Sequence, residues 1–127
     1  MNNPIPRSVV IVFRFRGCRP EALVSGETEN HLGDFFEKMV RAAGFVPVAR
    51  YVKIYENGAY TAEVTLEESK AALYTWPEDG DVEGLIFYCN YEGDNADKAE
   101  SLFNSVVNYY QPEDVERFPS IQIFRKK

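Results

Sequence analysis

The apolar positions of this chain change period several times, and each change marks an element. Ser8–Arg16 opens as an unbroken β-branched run and then alternates Phe13, Arg14, Phe15 and Arg16. That pattern predicts a first strand, buried at its start and half-exposed later, ended by Gly17-Cys18-Arg19-Pro20. Leu32, Phe35, Phe36, Met39, Val40 and Ala43 then fall at helical spacing, so a helix follows, with Thr28 or Asn30 as its cap and Gly44 as its end. A strand over Val46–Tyr55 turns at Glu56-Asn57-Gly58, an Asn-Gly hairpin signal. The return strand Tyr60–Leu66 puts Tyr60, Ala62, Val64 and Leu66 on one face and Thr61, Glu63 and Thr65 on the other.

The pattern continues with a strand over Ser69–Trp76, stopped by Pro77 and the turn Glu78-Asp79-Gly80-Asp81, and a buried strand over Gly84–Asn90. Asp94 or Asn95 caps a second helix, whose Ala99, Leu102, Phe103, Val106 and Tyr110 share a face; Pro112 ends it. Ser120–Phe124 makes a last strand before a basic tail. Short turns between successive strands imply antiparallel pairing. The expected fold is α+β, a two-layer sandwich with a mainly antiparallel sheet and two helices on one face, built as one domain over residues 1–127.

Composition narrows the function. At 127 residues, 45% hydrophobic and 27% charged, the chain matches ordinary globular domains. No apolar run reaches the roughly 20 residues that span a bilayer, and the first residues lack a secretory apolar core, so a cytoplasmic location is expected. A net charge of −6 argues against nucleic-acid binding. Two cysteines, Cys18 and Cys89, and one histidine, His31, do not make a metal site. Cys18 reads as core, and His31 as a structural residue of the first helical turn.

The chemistry is concentrated in Glu68-Ser69-Lys70-Ala71-Ala72-Leu73-Tyr74-Thr75-Trp76-Pro77-Glu78. This stretch resembles the core of prokaryotic S-adenosylmethionine decarboxylases, which read Glu-Ser-His, three residues, then His-Thr-Trp-Pro-Glu. Lys70 and Tyr74 stand where the family has histidines. Cys89 follows Ser69 by the family's spacing of its catalytic cysteine, and Thr61 precedes it where the family has a processing hydroxyl.

The resemblance implies a pyruvoyl-dependent decarboxylase of S-adenosylmethionine in polyamine (spermidine) synthesis. The chain would cleave itself between Glu68 and Ser69 and convert Ser69 into a pyruvoyl cofactor. Thr61 and the residue at position 74 would assist processing, and Cys89 would reprotonate the product carbon. Glu78 would bind the ribose hydroxyls, with Tyr55 and Trp76 as further substrate-binding residues. Family members also imply a homodimer paired through its sheets.

Tyrosine, with a pKa of about 10, is a poor replacement for a histidine base. Lys70 shares strand parity with Tyr74 and could supply the charge that lowers it. Two alternatives stand beside the decarboxylase. One is a non-processing paralogue that acts as a binding or regulatory protein, with Tyr74 a packing aromatic. The other is a pyruvoyl enzyme with a shifted amino-acid substrate.

Overall fold

The computed structural model describes residues 7–89 and 95–123, with side chains through residue 118. Its elements are β1 (Ser8–Arg16), a 3-10 turn (Pro20–Ala22), α1 (Glu29–Ala42), β2 (Pro47–Ile54), β3 (Tyr60–Leu66), β4 (Ser69–Trp76), β5 (Asp81–Cys89), α2 (Asn95–Tyr110) and β6 (Asp114–Ile123). The strands form one six-stranded sheet in the order β2-β3-β4-β5-β1-β6. Every pair is antiparallel, and both helices pack on the same face, as the α+β two-layer reading expects.

Thr28 rather than Asn30 caps α1: its hydroxyl accepts the His31 N–H at 3.0 Å, a bond that stabilises a helix by about 1 kcal/mol. Gly44, at φ +102, ends the helix, and the Phe45 N–H reaches back to the Val40 carbonyl at 3.1 Å. That six-residue closure needs the left-handed conformation glycine supplies. Leu32, Phe36 and Val40 are buried, whereas Phe35 lies at the stripe's rim against Tyr109, ring centres 4.9 Å apart. On α2 the expected face of Ala99, Leu102, Phe103, Val106 and Tyr110 is wholly buried.

Phe13 and Phe15 stack at 4.9 Å, and Phe103 meets both edge-on at 5.4 and 5.8 Å. Burying such side chains contributes about 1.5–3 kcal/mol each. Gly84 makes room for this cluster, since a Cβ there would clash with the Phe13 ring. Tyr60 donates its hydroxyl proton to the Ala22 carbonyl at 2.7 Å. Tyr110 therefore donates to the Tyr60 oxygen at 2.6 Å, tying α2 to β3 inside the core.

Two strands start earlier than their sequences suggest. β5 begins at Asp81 rather than Gly84, because the Trp76–Gly80 turn closes at Gly80 (φ +75) and Asp81 already pairs with Trp76. The buried Asp81 carboxylate is held by Arg14 at 2.7 Å. β6 begins at Asp114 rather than Ser120, pairing from Arg16 onward along β1. Pro119, which lacks an N–H, falls where the β1–β6 register shifts between Val10 and Val12, and edge strands and bulges tolerate proline. The expected ends at Asn90 and Phe124, and Asp94 as a cap, lie outside the described residues.

Candidate functional site on the outer face of the sheet

Alternation along β4 divides the sequence motif between two environments. Ser69, Ala71, Leu73 and Thr75 point toward the helices, opposite Tyr88, Ile86, Gly84 and Val82 of β5. Lys70, Ala72, Tyr74 and Trp76 point to the outer face, opposite Phe87, Leu85, Glu83 and Asp81. Thr75 is buried, accepting the Tyr60 N–H at 2.9 Å and donating to the Tyr60 carbonyl at 3.4 Å. Its hydroxyl thus holds the start of β3 against the end of β4, where Trp76 and the turn carrying Glu78 leave the sheet.

On the outer face the end of β4, the β2–β3 hairpin and the Glu78 turn enclose an open depression of about 640 Å³. Tyr51, Tyr55 and Trp76 supply its aromatic walls, Glu63 and Glu78 its carboxylates, and Thr61 and Tyr74 its floor. The hairpin is set by Asn57-Gly58: Asn57 Oδ1 accepts the Ala59 N–H at 3.0 Å and Gly58 takes φ +87. This turn fixes the register that places Tyr51 opposite Glu63, and the Glu67-Glu68 turn joining β3 to β4 fixes the one that places Thr61 opposite Tyr74. Tyr55 and Thr61 touch through their hydroxyls at 3.5 Å.

Glu63 lies diagonally between the two residues that replace the family histidines. Tyr74 donates its phenol proton to Glu63 Oε1 at 2.9 Å, and Lys70 Nζ reaches the same oxygen at 3.6 Å. The Tyr74 pKa is consequently raised: partial desolvation contributes most, then the hydrogen bond to Glu63 and its negative charge. Lys70 shares the outer face with Tyr74, as its parity predicts, but its charge is spent on Glu63. With Lys70 on the same face, the Tyr74 pKa is raised rather than lowered. His31, the chain's one histidine, sits on α1, across the sheet from this site.

Ser69 and Cys89 do not line the depression. Five residues at about 3.3 Å each separate Ser69 from Tyr74 by roughly 17 Å along the strand. The Ser69 side chain is buried, and its hydroxyl is the buried side-chain polar atom without a hydrogen-bond partner among the described residues. Glu68, just before it in a two-residue turn, takes φ 60, a left-handed conformation that costs a non-glycine residue about 1–2 kcal/mol. Cys89 is half-buried on the outer face, 3.7 Å from the hydroxyl of Ser8. Cys18 is core, as expected, and burial pushes its thiol up to about 11.

The structure therefore gathers Thr61, Tyr74, Tyr55, Trp76 and Glu78 around one concavity and leaves Glu68, Ser69 and Cys89 at the other end of the strands. Sequence reasoning missed Glu63 and Tyr51 as parts of the site. The signal for Glu63 was present, because it shares a strand face with Thr61; Tyr51 required the hairpin register.

These features define a class: an antiparallel α+β sandwich with an aromatic and carboxylate depression on its open sheet face. The family model described as S-adenosylmethionine decarboxylase matches residues 10–118, and the chain belongs to that family. Among solved structures, the adenosylmethionine decarboxylase of Aquifex aeolicus VF5 superposes with a TM-score of 0.79. It is 14% identical, and the match covers 96% of this chain and 94% of that one; at that identity the likeness is one of fold. No curated protein sequence matches.

The family's pyruvoyl group is made from its serine, and the residues around Ser69 do not fit its formation. A serine hydroxyl that attacks must hand its proton to an acceptor, and among the described residues Ser69 Oγ has no hydrogen-bond partner. At position 74 stands a phenol whose proton is held more tightly than in water.

Proposed function

We propose that this chain is an uncleaved member of the S-adenosylmethionine decarboxylase family that binds an adenosyl ligand in the outer depression, serving as a binding or regulatory protein. The observation that carries the reading is the Tyr74–Glu63–Lys70 cluster, with contacts of 2.9 and 3.6 Å on one carboxylate oxygen. It occupies both histidine positions with side chains engaged by an anion. The depression falls within the few hundred to about 1,000 Å³ usual for small-molecule sites. Its aromatic rings suit a purine, and Glu78 is available to ribose hydroxyls.

A homodimer accompanies this reading. Val12, Tyr51, Trp76 and Phe118 leave apolar surface exposed on the outer face, and such surface favours pairing. Two copies facing each other with opposed strands would set the Ser69–Cys89 end of one over the Thr61–Tyr74 end of the other. The two cysteines are unpaired, which supports a cytoplasmic location.

A second reading is the self-processing pyruvoyl decarboxylase of S-adenosylmethionine, or one with another amino-acid substrate. The strained Glu68 beside the unpartnered Ser69 hydroxyl favours it, because strain gathers at sites of reaction. The test is the intact mass of Tyr74→His, Glu63→Gln and the double variant after long incubation. Cleavage in the double variant alone, with the parent whole, supports the lock at Glu63. Cleavage of the parent supports the decarboxylase.

A further inference from the structure

We propose that α1 closes the free edge of the sheet, with Glu29 and Arg50 as its two fastenings, and so keeps β2 of a second copy from adding to it. β2 is an outermost strand in the order β2-β3-β4-β5-β1-β6, and an unpaired strand edge is a template for another strand. The Tyr55 N–H bonds the Ala59 carbonyl at 2.8 Å, so Tyr55 faces its hairpin partner. By the alternation of an antiparallel ladder, the N–H and C=O groups of Ile54, Val52 and Arg50 face the other way, to the free edge.

Both ends of that edge are stopped. At one end Glu29, in the first turn of α1, accepts the Ile54 N–H on its Oε2 at 2.8 Å. A donor that would otherwise be offered to an incoming strand is taken by the chain itself. At the other end the β2–β3 register shifts between Pro47 and Ala49, and a bulge of this kind twists an edge away from flat pairing. Pro47 has no N–H to give.

Between the two stops stands a charge. Arg50 lies on the helix side of β2, and its guanidinium donates to Asp34 at 2.7 Å, Glu37 at 2.6 Å and the Asn30 carbonyl at 3.3 Å. Gly33 lets it lie against the helix, since a Cβ there would meet Arg50 Nε at 2.7 Å. Phe36 of α1 packs toward Tyr60 of β3, ring centres 6.0 Å apart. The apolar stripe thus sits over β3, and the Arg50 contacts hold the acidic flank of α1 over β2. A second copy related by a two-fold axis at Tyr51 would pair Arg50 of each chain with Val52 of the other. That register satisfies the free groups on both sides, but it brings the Glu29, Asp34 and Glu37 flanks of two helices together, and like charge opposes it.

Amide hydrogen exchange and sedimentation velocity of the intact chain test this. In the parent the Ile54 amide should exchange more slowly than those of Arg50 and Val52, although it lies at the strand's end. Glu29→Ala should speed Ile54 about tenfold or more, as loss of a charge-assisted bond implies. A chain carrying Glu29→Ala, Asp34→Ala, Glu37→Ala and Arg50→Val together should self-associate at least about tenfold more tightly than the parent. The amides at positions 50 and 52 should become protected as it does so. An unchanged Ile54 rate in Glu29→Ala overturns the proposal. So does a quadruple variant that associates no more than the parent, or one that associates with amides 50 and 52 still open, which places the contact on another face. If circular dichroism shows that the quadruple variant does not fold, the Ile54 rate in Glu29→Ala decides alone.

Discussion

The inward and outward residues of β4 come from one short strand and live under opposite rules. Inward, Ser69, Leu73 and Thr75 are buried beneath the helices, and apart from the Ser69 hydroxyl their polar atoms are satisfied by backbone. Outward, Lys70, Tyr74 and Trp76 are half-open, with Lys70 and Tyr74 joined through Glu63. The inner face holds the fold, and the outer face holds the open depression. The motif that resembles a catalytic signature is therefore two motifs interleaved. Thr75 is explained by a hydrogen bond that joins strand ends, whereas Tyr74 and Trp76 are explained only by what lies in front of them.

The contrast predicts that removing hydrogen-bonded polar groups of the inner face costs stability and that outer-face changes do not. Tyr60→Phe removes the donor to Ala22 and the acceptor of Tyr110, leaving buried groups unpaired at a cost of about 1–3 kcal/mol. Urea midpoints should fall accordingly, while Tyr51→Phe stays within about 0.5 kcal/mol of the parent. Equal losses from both would break the division. The same tyrosines set an alkaline limit. Burial raises the Tyr60 and Tyr110 pKa values above the ordinary 10, so their contribution is full below pH about 10. It is lost as pH rises from there through the folded values, because the unfolded chain sheds those protons first. A stability profile flat to pH 12 would contradict this.

Smaller effects concern the strained end of the inner face. Ser69→Ala deletes an unpartnered buried hydroxyl and should raise stability by about 1 kcal/mol. Glu68→Gly relieves φ 60 and should give a net gain below about 1 kcal/mol after glycine's entropy cost. Destabilisation by both would mean that neither strain nor an orphaned hydroxyl is present. On the outer face, Glu63→Gln should lower the Tyr74 pKa, since the lost anion was raising it; an alkaline phenol titration followed by NMR would show the shift. The smallest effect is a rate order. Half-buried Cys89 should alkylate before Cys18, whose buried thiol is pushed up to about 11.

Much of the fold was legible because period and punctuation agreed, as at Tyr60–Leu66 and at Ala99–Tyr110. The strand starts were not, for separate reasons. Asp81 reads as a turn residue until Arg14, far away in sequence, neutralises it. Asp114–Phe118 lacks clean alternation, and Pro119 argues against a strand unless the bulge opposite Val10 and Val12 is known. At the site, parity alone put Lys70 and Tyr74 on one face. What they do there depends on Glu63, a diagonal neighbour on β3 that appears only when the strands are paired. Sequence spacing located the family positions; the pairing decided their charges.

We propose that the Glu68–Ser69 bond stays uncleaved because the Ser69 hydroxyl has no acceptor among the described residues, while Tyr74, roughly 17 Å along the strand, keeps its proton on Glu63. The most direct measurement is the intact mass of the freshly purified wild-type chain, repeated after days at neutral pH. The account predicts one species at 14.5 kDa throughout. Accumulation of two fragments, residues 1–68 and a pyruvoyl-ended 69–127, would contradict it.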